Sequence, residues 1–406
     1  MYMNKKYRRA NLKNTGWIAV FVLVALAAFK IPLYNYTAGS YAGRITVARF
    51  FIVVLSIGWL LLNTIYFRKL SLKKHELLLL LLIGLLFAGV CFSSVINRKQ
   101  LGNCLREMLC FVVFPVYFFC GLRKQSLREL LINTWKWFFL VLNVIDIATV
   151  LMYPSGMYNS GVYRNNWFLG YKTQRVIFSY PMVVLWGYTE IKANNKLTMR
   201  AIVPFILAAI DAVLTEATGG LLSLLSIPVF YMLMVLAGRK PKLKKVEVLG
   251  NVYIMTAAYL LLVFLIITMR ATGMIQILTS WVGKDVSFTG RSHIWRQCLR
   301  VISKSPIWGC GIMLGADFRL LTGWIGGTNA HNAILTVLIN GGAVALALYT
   351  GITLMAFRSH SSKTMCFLLA ATYGLWILGI TSAILAFSEA GLITYVLAVY
   401  EKRKER

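Results

Sequence analysis

The stretch Leu77–Ile96, LLLLLLIGLLFAGVCFSSVI, contains no charged side chain over its whole length. Lys73 and Lys74 precede it, and Arg98 and Lys99 follow it. A helix of about 20 residues rises about 30 Å, which matches the thickness of the hydrocarbon layer of a bilayer. We therefore predict that this stretch crosses a membrane.

Further apolar runs recur along the chain and predict an all-α polytopic membrane protein with about 12 transmembrane helices. Residues 1–406 then form a single integral membrane domain. The run containing Pro181 and the short last run are the least regular of these spans. Besides Leu77–Ile96, the predicted spans are Thr15–Tyr34, Arg44–Tyr66, Cys104–Gly121, Leu131–Met152, Val176–Ile191, Met199–Leu214, Gly220–Ala237, Val252–Met269, His331–Phe357, Thr364–Ile384 and Glu389–Tyr400.

The composition supports the membrane class and argues against a nucleic-acid-binding protein. Hydrophobic residues make up 59% of the 406 residues, compared with about 45–50% in soluble domains. The net charge of +30 comes from 43 Lys and Arg against 13 Asp and Glu. These basic residues form short clusters between apolar runs, where they can contact anionic lipid headgroups. The seven cysteines show neither metal-site spacing nor a disulfide framework.

The basic clusters also predict the orientation, because cytoplasmic loops carry an excess of Lys and Arg. An alternating topology with both termini in the cytoplasm satisfies this rule. The predicted cytoplasmic clusters are Arg68/Lys69/Lys73/Lys74, Arg123/Lys124/Arg128, Lys192/Lys196/Arg200, Arg239/Lys240/Lys242/Lys244/Lys245 and Lys402/Arg403/Lys404/Arg406.

Two predicted extracytoplasmic segments are much longer than the other connections. One covers residues 153–174, and the other is a large loop over residues 270–330. Long ordered loops usually bind or catalyse. Residues 290–305 of the large loop have the pattern of an amphipathic helix, with Ile294, Trp295 and Cys298 on its apolar face. Arg296, Arg300 and Lys304 lie on the opposite face, where they can contact either lipid phosphates or an anionic substrate.

Five elements within the large loop and the helix after it occur in an order that resembles the O-antigen polymerase/O-antigen ligase superfamily. They cover about 60 residues. The position of one large outer loop between late predicted helices supports the resemblance along the rest of the chain. The elements are Arg291, Trp295, the Pro306-Ile307-Trp308-Gly309-Cys310-Gly311 turn, His331-Asn332, and Gly341-Gly342.

The resemblance implies transfer of a glycan from a polyprenyl diphosphate to an acceptor hydroxyl on the outer face of the bacterial cytoplasmic membrane, which is therefore our predicted location. Arginine suits the diphosphate leaving group because its planar fork binds phosphate oxygens and stays protonated. We therefore predict Arg291, with Arg175 as its partner, as catalytic. His331 can accept the acceptor proton, although a histidine at a helix start can also be an interfacial residue.

A segment earlier in the chain has a weaker resemblance to one that many polymerases of this superfamily carry. It consists of Asn165-Asn166-Trp167-Phe168-Leu169-Gly170 and Gln174-Arg175, which precede a predicted helix. Many relatives carry a Ser-Arg pair before a helix, at the place where this chain has Ala217-Thr218-Gly219-Gly220. Arg175 is our candidate substitute for the missing arginine. The candidate substrate-binding residues are Asn332, Asn166, Trp295, Arg296, Arg300 and the acid Glu389, which opens the last predicted helix.

The sequence predicts no metal site and no cofactor, so we expect a metal-independent glycosyltransferase. Its predicted partners are polyprenyl-diphosphate-linked oligosaccharides and membrane lipids. A flippase and a chain-length regulator of the same pathway are candidate protein partners. Polymerases and ligases of the superfamily share the C-terminal elements, and the segment from Asn165 to Gly170 favours a polysaccharide polymerase. A ligase that transfers the glycan to another acceptor, a flippase for lipid-linked oligosaccharides, and a scaffold without catalysis remain as alternatives.

Overall fold

A computed structural model describes residues 2–29, 72–123, 125–159, 165–238, 241–268, 291–313, 315–323, 329–358, 362–383 and 387–402. These residues are mostly helical. The predicted span Arg44–Tyr66 and the beginning of the predicted large loop lie outside the described residues. The helices in the first half are α1 Tyr2–Phe29, α2 Lys74–Ile96, α3 Leu101–Arg123, α4 Gln125–Met152, α5 Val176–Asn194 and α6 Met199–Leu214.

The second half of the chain continues the helical pattern. Its helices are α7 Thr218–Ala237, the 3-10 helix Pro241–Gly250, α8 Val252–Thr268, α9 Arg291–Lys304, α10 Gly315–Thr322, α11 Ala333–Phe357, α12 Lys363–Thr381 and α13 Glu389–Lys402. The only strands in the described part of the chain, β1 Asn166–Trp167 and β2 Gly170–Tyr171, form a short antiparallel hairpin between α4 and α5.

Six of the described helices are long and apolar enough to cross a membrane, namely α2, α3, α4, α7, α11 and α12. Two shorter apolar helices cover Gly16–Phe29 and Val252–Thr268. This arrangement confirms that the chain is a multi-pass helical membrane protein. The full number of about 12 spans remains a prediction.

The short helix α13 lies in the interior of the bundle. All of its residues from Glu389 to Glu401 are buried, and it packs against α1, α2, α3, α5, α11 and α12. Glycines allow close helix contacts around this core. A Cβ at Gly187 of α5 would lie 2.1 Å from the ring of Phe367 in α12, and one at Gly374 would lie 2.8 Å from the carbonyl oxygen of Ser223 in α7. Such small residues commonly let membrane helices approach one another.

Candidate active site at the start of α11

The amphipathic helix predicted over residues 290–305 is present as α9, Arg291–Lys304. Its apolar face packs on the protein itself. Ile294, Trp295 and Cys298 are buried in one cluster with Leu335 and Ile339 of α11. The indole nitrogen of Trp295 donates a hydrogen bond to the carbonyl oxygen of Ala330, 3.0 Å away. Trp295 therefore joins α9 to the residue directly before His331.

His331 has an unusual backbone conformation immediately before α11. Its φ of +48° is in the left-handed region, which few residues other than glycine adopt. The amide nitrogen of His331 donates to the side-chain oxygen of Asn329 at 2.9 Å. Residues held in such conformations cluster at active sites, which makes the position a candidate for chemistry.

Asn332 fixes the start of α11 next to this histidine. Its side-chain oxygen accepts a hydrogen bond from the amide of Leu335 at 2.9 Å, as expected of an N-cap residue. Its side-chain nitrogen donates to the carbonyl oxygen of Ile380 at the end of α12, 3.0 Å away. The side chain is fully buried. These bonds place Asn332 as a support for His331, and its predicted contact with substrate stays a prediction.

Arg291 and His331 interact electrostatically across the gap between α9 and α11. Burial of the imidazole, together with the positive charge of Arg291, lowers the pKa of His331 from 6.5 to about 4. The imidazole is therefore neutral at pH 7. Arg291 and His331 are both only half-buried, so a substrate can reach them. Arg291 opens α9, His331 directly precedes α11, and these two helices pack against each other. Their predicted roles at the leaving group and as the base stay predictions.

The Pro-x-x-Gly-x-Gly turn is inserted into a break in α11. Gly342 has a φ of +64° there, which interrupts the helix. In a regular helix the amide of Ala343 would bond to the carbonyl of Ile339. Instead, Ala343 donates to Pro306 at 2.8 Å, and Ile339 accepts from Cys310 at 2.6 Å. The turn therefore satisfies the backbone groups that the break releases.

The glycines of this turn are required by close backbone approach. A Cβ at Gly309 would lie 2.6 Å from the amide nitrogen of Gly342, and one at Gly342 would lie 2.2 Å from the carbonyl oxygen of Ile307. Gly311, with a φ of +80°, packs in the same way on the backbone of Ser94 in α2. The motif thus connects α2, α9 and α11 and holds the candidate site on the transmembrane bundle.

The polar face of α9 carries exposed positive charges. Arg296, Arg300 and Lys304 are all exposed, as the helical periodicity predicted. The guanidinium of Arg300 donates to the side chain of Gln297 at 3.3 Å. These residues are accessible to phosphates of lipids or of a substrate, and their predicted role in binding stays a prediction.

Arg175 lies in a second polar cluster, formed where α4, α5 and α6 approach the hairpin. Its guanidinium is 1% exposed and pairs with Asp146 and with Asp211, the latter at 2.7 Å. It also lies over the ring of Trp167, 5.2 Å from the ring centre. Asp146 accepts a further bond, 2.8 Å long, from the amide of Leu169. The cluster therefore fastens the hairpin to the helix ends.

These contacts give Arg175 an evident structural role, because two carboxylates already balance its charge. Its predicted role beside Arg291 stays a prediction. The place of the missing family arginine supports the idea of a substitution. A Cβ at Gly220 would lie 2.7 Å from the side chain of Val176, the residue after Arg175. The glycine that stands near the family's arginine position thus packs directly beside the turn that carries Arg175.

The other two predicted residues are buried. Asn166 is 2% exposed, and its side-chain nitrogen donates to the carbonyl of Tyr158 at 3.3 Å within the hairpin region. Glu389 is 7% exposed at the start of α13. Their predicted contacts with substrate stay predictions.

Asp211 is not among the residues that the sequence predicted for the site. A carboxylate inside an apolar helix can be recognised from the sequence as a candidate for a polar site, because it requires a cation or a polar partner in a membrane. Within the described ranges, no three His, Cys, Asp or Glu side chains come together as they would around a metal ion.

Most of the residues of the site around His331 lie in a region that matches a known protein family. Residues 203–350 match the O-antigen ligase family model. This match confirms the predicted resemblance to the O-antigen polymerase/ligase superfamily. The O-antigen ligase region begins in α6 and ends in α11, so it includes Arg291, Trp295 and His331. It excludes Asn166, Arg175 and Glu389. Neither the curated proteins nor the solved structures include a match to this chain.

Proposed function

We propose that this protein is a polysaccharide polymerase that joins polyprenyl-diphosphate-linked repeat units on the outer face of the bacterial cytoplasmic membrane. The observation that carries the proposal is the electrostatic interaction between Arg291 and His331, both of which lie in the region that matches the O-antigen ligase family model. Arg291 can bind a diphosphate, and His331 can accept a proton from a hydroxyl group.

The reaction divides between these two residues. The acceptor hydroxyl oxygen forms a bond to the anomeric carbon of the donor, and its proton passes to the neutral imidazole of His331. The bond between the anomeric carbon and the diphosphate oxygen breaks, and the diphosphate leaves with the bonding electrons. Arg291 stabilises the charge that develops on this oxygen. Fixed positive charge placed where negative charge develops usually contributes more to catalysis than any other single effect.

The low pKa of His331 gives this arrangement an order of events. The imidazole is a weak base in the protein without substrate, because burial and the nearby guanidinium of Arg291 both disfavour its positively charged form. A bound diphosphate adds negative charge beside Arg291, so it raises the pKa of His331 toward neutrality. The base thus becomes effective when the donor is in place.

The same residues could serve a ligase, which transfers a finished carrier-linked glycan to a different acceptor. The description of the matched family favours this second candidate, whereas the resemblance of the Asn166 segment to polymerases favours the first. A deletion strain separates them. Loss of a polymerase leaves carrier-linked single repeat units, while loss of a ligase leaves long carrier-linked chains that are not attached to their final acceptor.

Purified protein provides the direct test. Reconstituted with carrier-linked repeat units alone, in excess chelator, a metal-independent polymerase should build a ladder of chain lengths. Failure to build a ladder, combined with long unattached chains in the deletion strain, would replace the polymerase by the ligase. Activity that stops with chelator and returns with magnesium or manganese would overturn metal independence.

A further inference from the structure

A polar cleft of about 310 Å³ lies beside the Pro-x-x-Gly-x-Gly turn, on the side of the short connection between α2 and α3. Ligand pockets typically have volumes of about 300–1,000 Å³, so the cleft is large enough for part of a glycan. Amide and charged side chains provide most of its lining, namely Asn97, Arg98, Lys99, Gln100, Asn103 and Asp317.

The cleft is attached rigidly to the candidate active site. The side-chain nitrogen of Asn97 donates to the carbonyl oxygen of Gly309 at 3.1 Å. The amide of Ile312 donates to the side-chain oxygen of Ser94 at 2.9 Å. Across the cleft, the ammonium of Lys99 pairs with Asp317, 2.7 Å away. The walls therefore come from two distant parts of the sequence that are fixed to each other.

The charge of the cleft favours an anionic ligand. Arg98 and Lys99 contribute two positive charges and Asp317, the only acid among the described residues of the lining, contributes one negative charge, so the lining has a net charge of +1. Arg98 is exposed in a left-handed conformation, with a φ of +55°. The positive field extends to the neighbouring turn, where Lys99 and Lys304 oppose the effect of burial that raises the pKa of the Cys310 thiol.

Helix α10 contacts both the cleft and the cluster beside His331. Asp317 lines the cleft, while the next residue, Phe318, is buried in the cluster with Ala330 and Trp295. One short helix therefore contributes both to the cleft and to the cluster that holds Ala330, the residue before His331. We expect a glycan bound in the cleft to extend toward His331.

We propose that this cleft binds the acceptor molecule of the polymerase, by the diphosphate and first sugar of its carrier-linked glycan. The inference rests on the proposed function, since a polymerase must bind two carrier-linked molecules and Arg291 serves only the donor. Guanidinium and ammonium groups bind the phosphates. The amides and Asp317 offer both donors and acceptors to sugar hydroxyls.

Counting bound diphosphates tests the assignment without requiring turnover. The full chain in nanodiscs would be titrated with radiolabelled farnesyl diphosphate, a short-chain polyprenyl diphosphate. We expect two molecules per chain for the wild type and one for Arg98→Asn, with at least tenfold weaker binding at the site that is lost. Asparagine tolerates the left-handed backbone at this position. Arg291→Ala should also bind one molecule, and the double variant none.

Two further variants make the comparison specific. Arg319→Asn removes one exposed positive charge from α10, outside the lining of the cleft, and should still bind two molecules. Asn103→Leu introduces an apolar side chain into the cleft and should bind one molecule. Arg98→Asn and Asn103→Leu should also require at least tenfold more repeat unit to build a ladder.

Two binding results would overturn the cleft site. The first is two molecules bound by both Arg98→Asn and Asn103→Leu with unchanged affinity. The second is displacement of the farnesyl diphosphate in the cleft when phosphatidylglycerol is added to the nanodiscs, because the cleft would then bind phospholipid headgroups. A different result would overturn the proposed polymerase function, namely a wild-type protein that binds two molecules and builds no ladder. The acceptor role of the cleft would then be wrong as well, although the cleft would still be a binding site.

Discussion

Trp295 donates its indole hydrogen to the carbonyl oxygen of Ala330 at 3.0 Å, directly before His331. Because Arg291 lies one helical turn before Trp295, this bond fixes the separation between the arginine and the histidine. The family's Arg-x-x-x-Trp spacing and its His-Asn pair are therefore two halves of one structural unit. A change in either half should alter the geometry of the other.

Arg291→Ala should lower polymerisation by about 100-fold or more, since removal of one fixed donor to a developing charge has an effect of this size. Arg291→Lys should recover little, because an ammonium does not bind two phosphate oxygens in a planar fork. Ladder assays on purified variants provide the measurement. Arg296→Ala, on the exposed face of the same helix, should cause a smaller loss. Full activity of Arg291→Ala would refute the proposed mechanism.

The pH dependence of His331 provides a second prediction. Its neutral form accepts the proton, so kcat/KM should fall only as the pH decreases through about 4, the pKa in the free protein. The fall in kcat should occur at higher pH, because the bound diphosphate raises this pKa. Nitrogen-labelled histidine NMR would observe the titration directly, with His331→Gln used to assign the signal. In Arg291→Ala the pKa should be higher than in the wild type.

Gly342→Ala should destabilise the protein by about 1–3 kcal/mol, the usual cost of a strained backbone position. A Cβ at this position would lie 2.2 Å from the carbonyl oxygen of Ile307. Gly351→Ala is a matched control in the same helix, because no atom of the described residues lies within 4 Å of its Cβ. It should leave stability unchanged or increase it, as alanine is the better helix former. Thermal unfolding in detergent would compare them, and equal melting temperatures would contradict the inserted turn.

Arg175→Ala should lower the melting temperature strongly, because it leaves Asp146 and Asp211 without their shared cation. Breaking a buried ion pair typically costs about 3–5 kcal/mol. Arg291→Ala should leave the melting temperature nearly unchanged. If Arg175→Ala unfolded at the wild-type temperature and still lost all activity, Arg175 would have the direct role at the diphosphate that the sequence suggested.

The proposed orientation predicts which residues are accessible from outside the cell. In a variant without native cysteines, Ser303→Cys in α9 should react with a membrane-impermeant thiol reagent in intact cells. Lys245→Cys, in the 3-10 helix between α7 and α8, should react only after the membrane is opened. Both positions are exposed on the protein surface. The reverse pattern would invert the topology.

Local patterns predicted the elements of the fold well. The span Met199–Leu214 has the predicted bounds, and α9 differs by one residue at each end from the predicted 290–305. Apolar length and amphipathic periodicity are properties of one segment, so they can be recognised without knowledge of its neighbours.

Long-range contacts account for what the sequence did not predict. The apolar face of α9 could have packed against lipid or protein, and periodicity does not distinguish these partners. The exchange of backbone bonds between Ala343 and Pro306 depends on residues far apart in the chain. Asp211 was overlooked because its partner Arg175 lies in a different part of the sequence, directly before α5. The cleft at Arg98 lies in what the sequence indicates only as a short connection.

The interior position of α13 has a consequence for biogenesis. Its residues are buried by helices that are all synthesised before it. Those helices must therefore leave space for α13 until the ribosome has produced residue 402, and α13 then enters a bundle that is already inserted. Translation that stops before Glu389 would remove the centre of the bundle. Quality-control proteases should therefore recognise the truncated chain as incompletely folded.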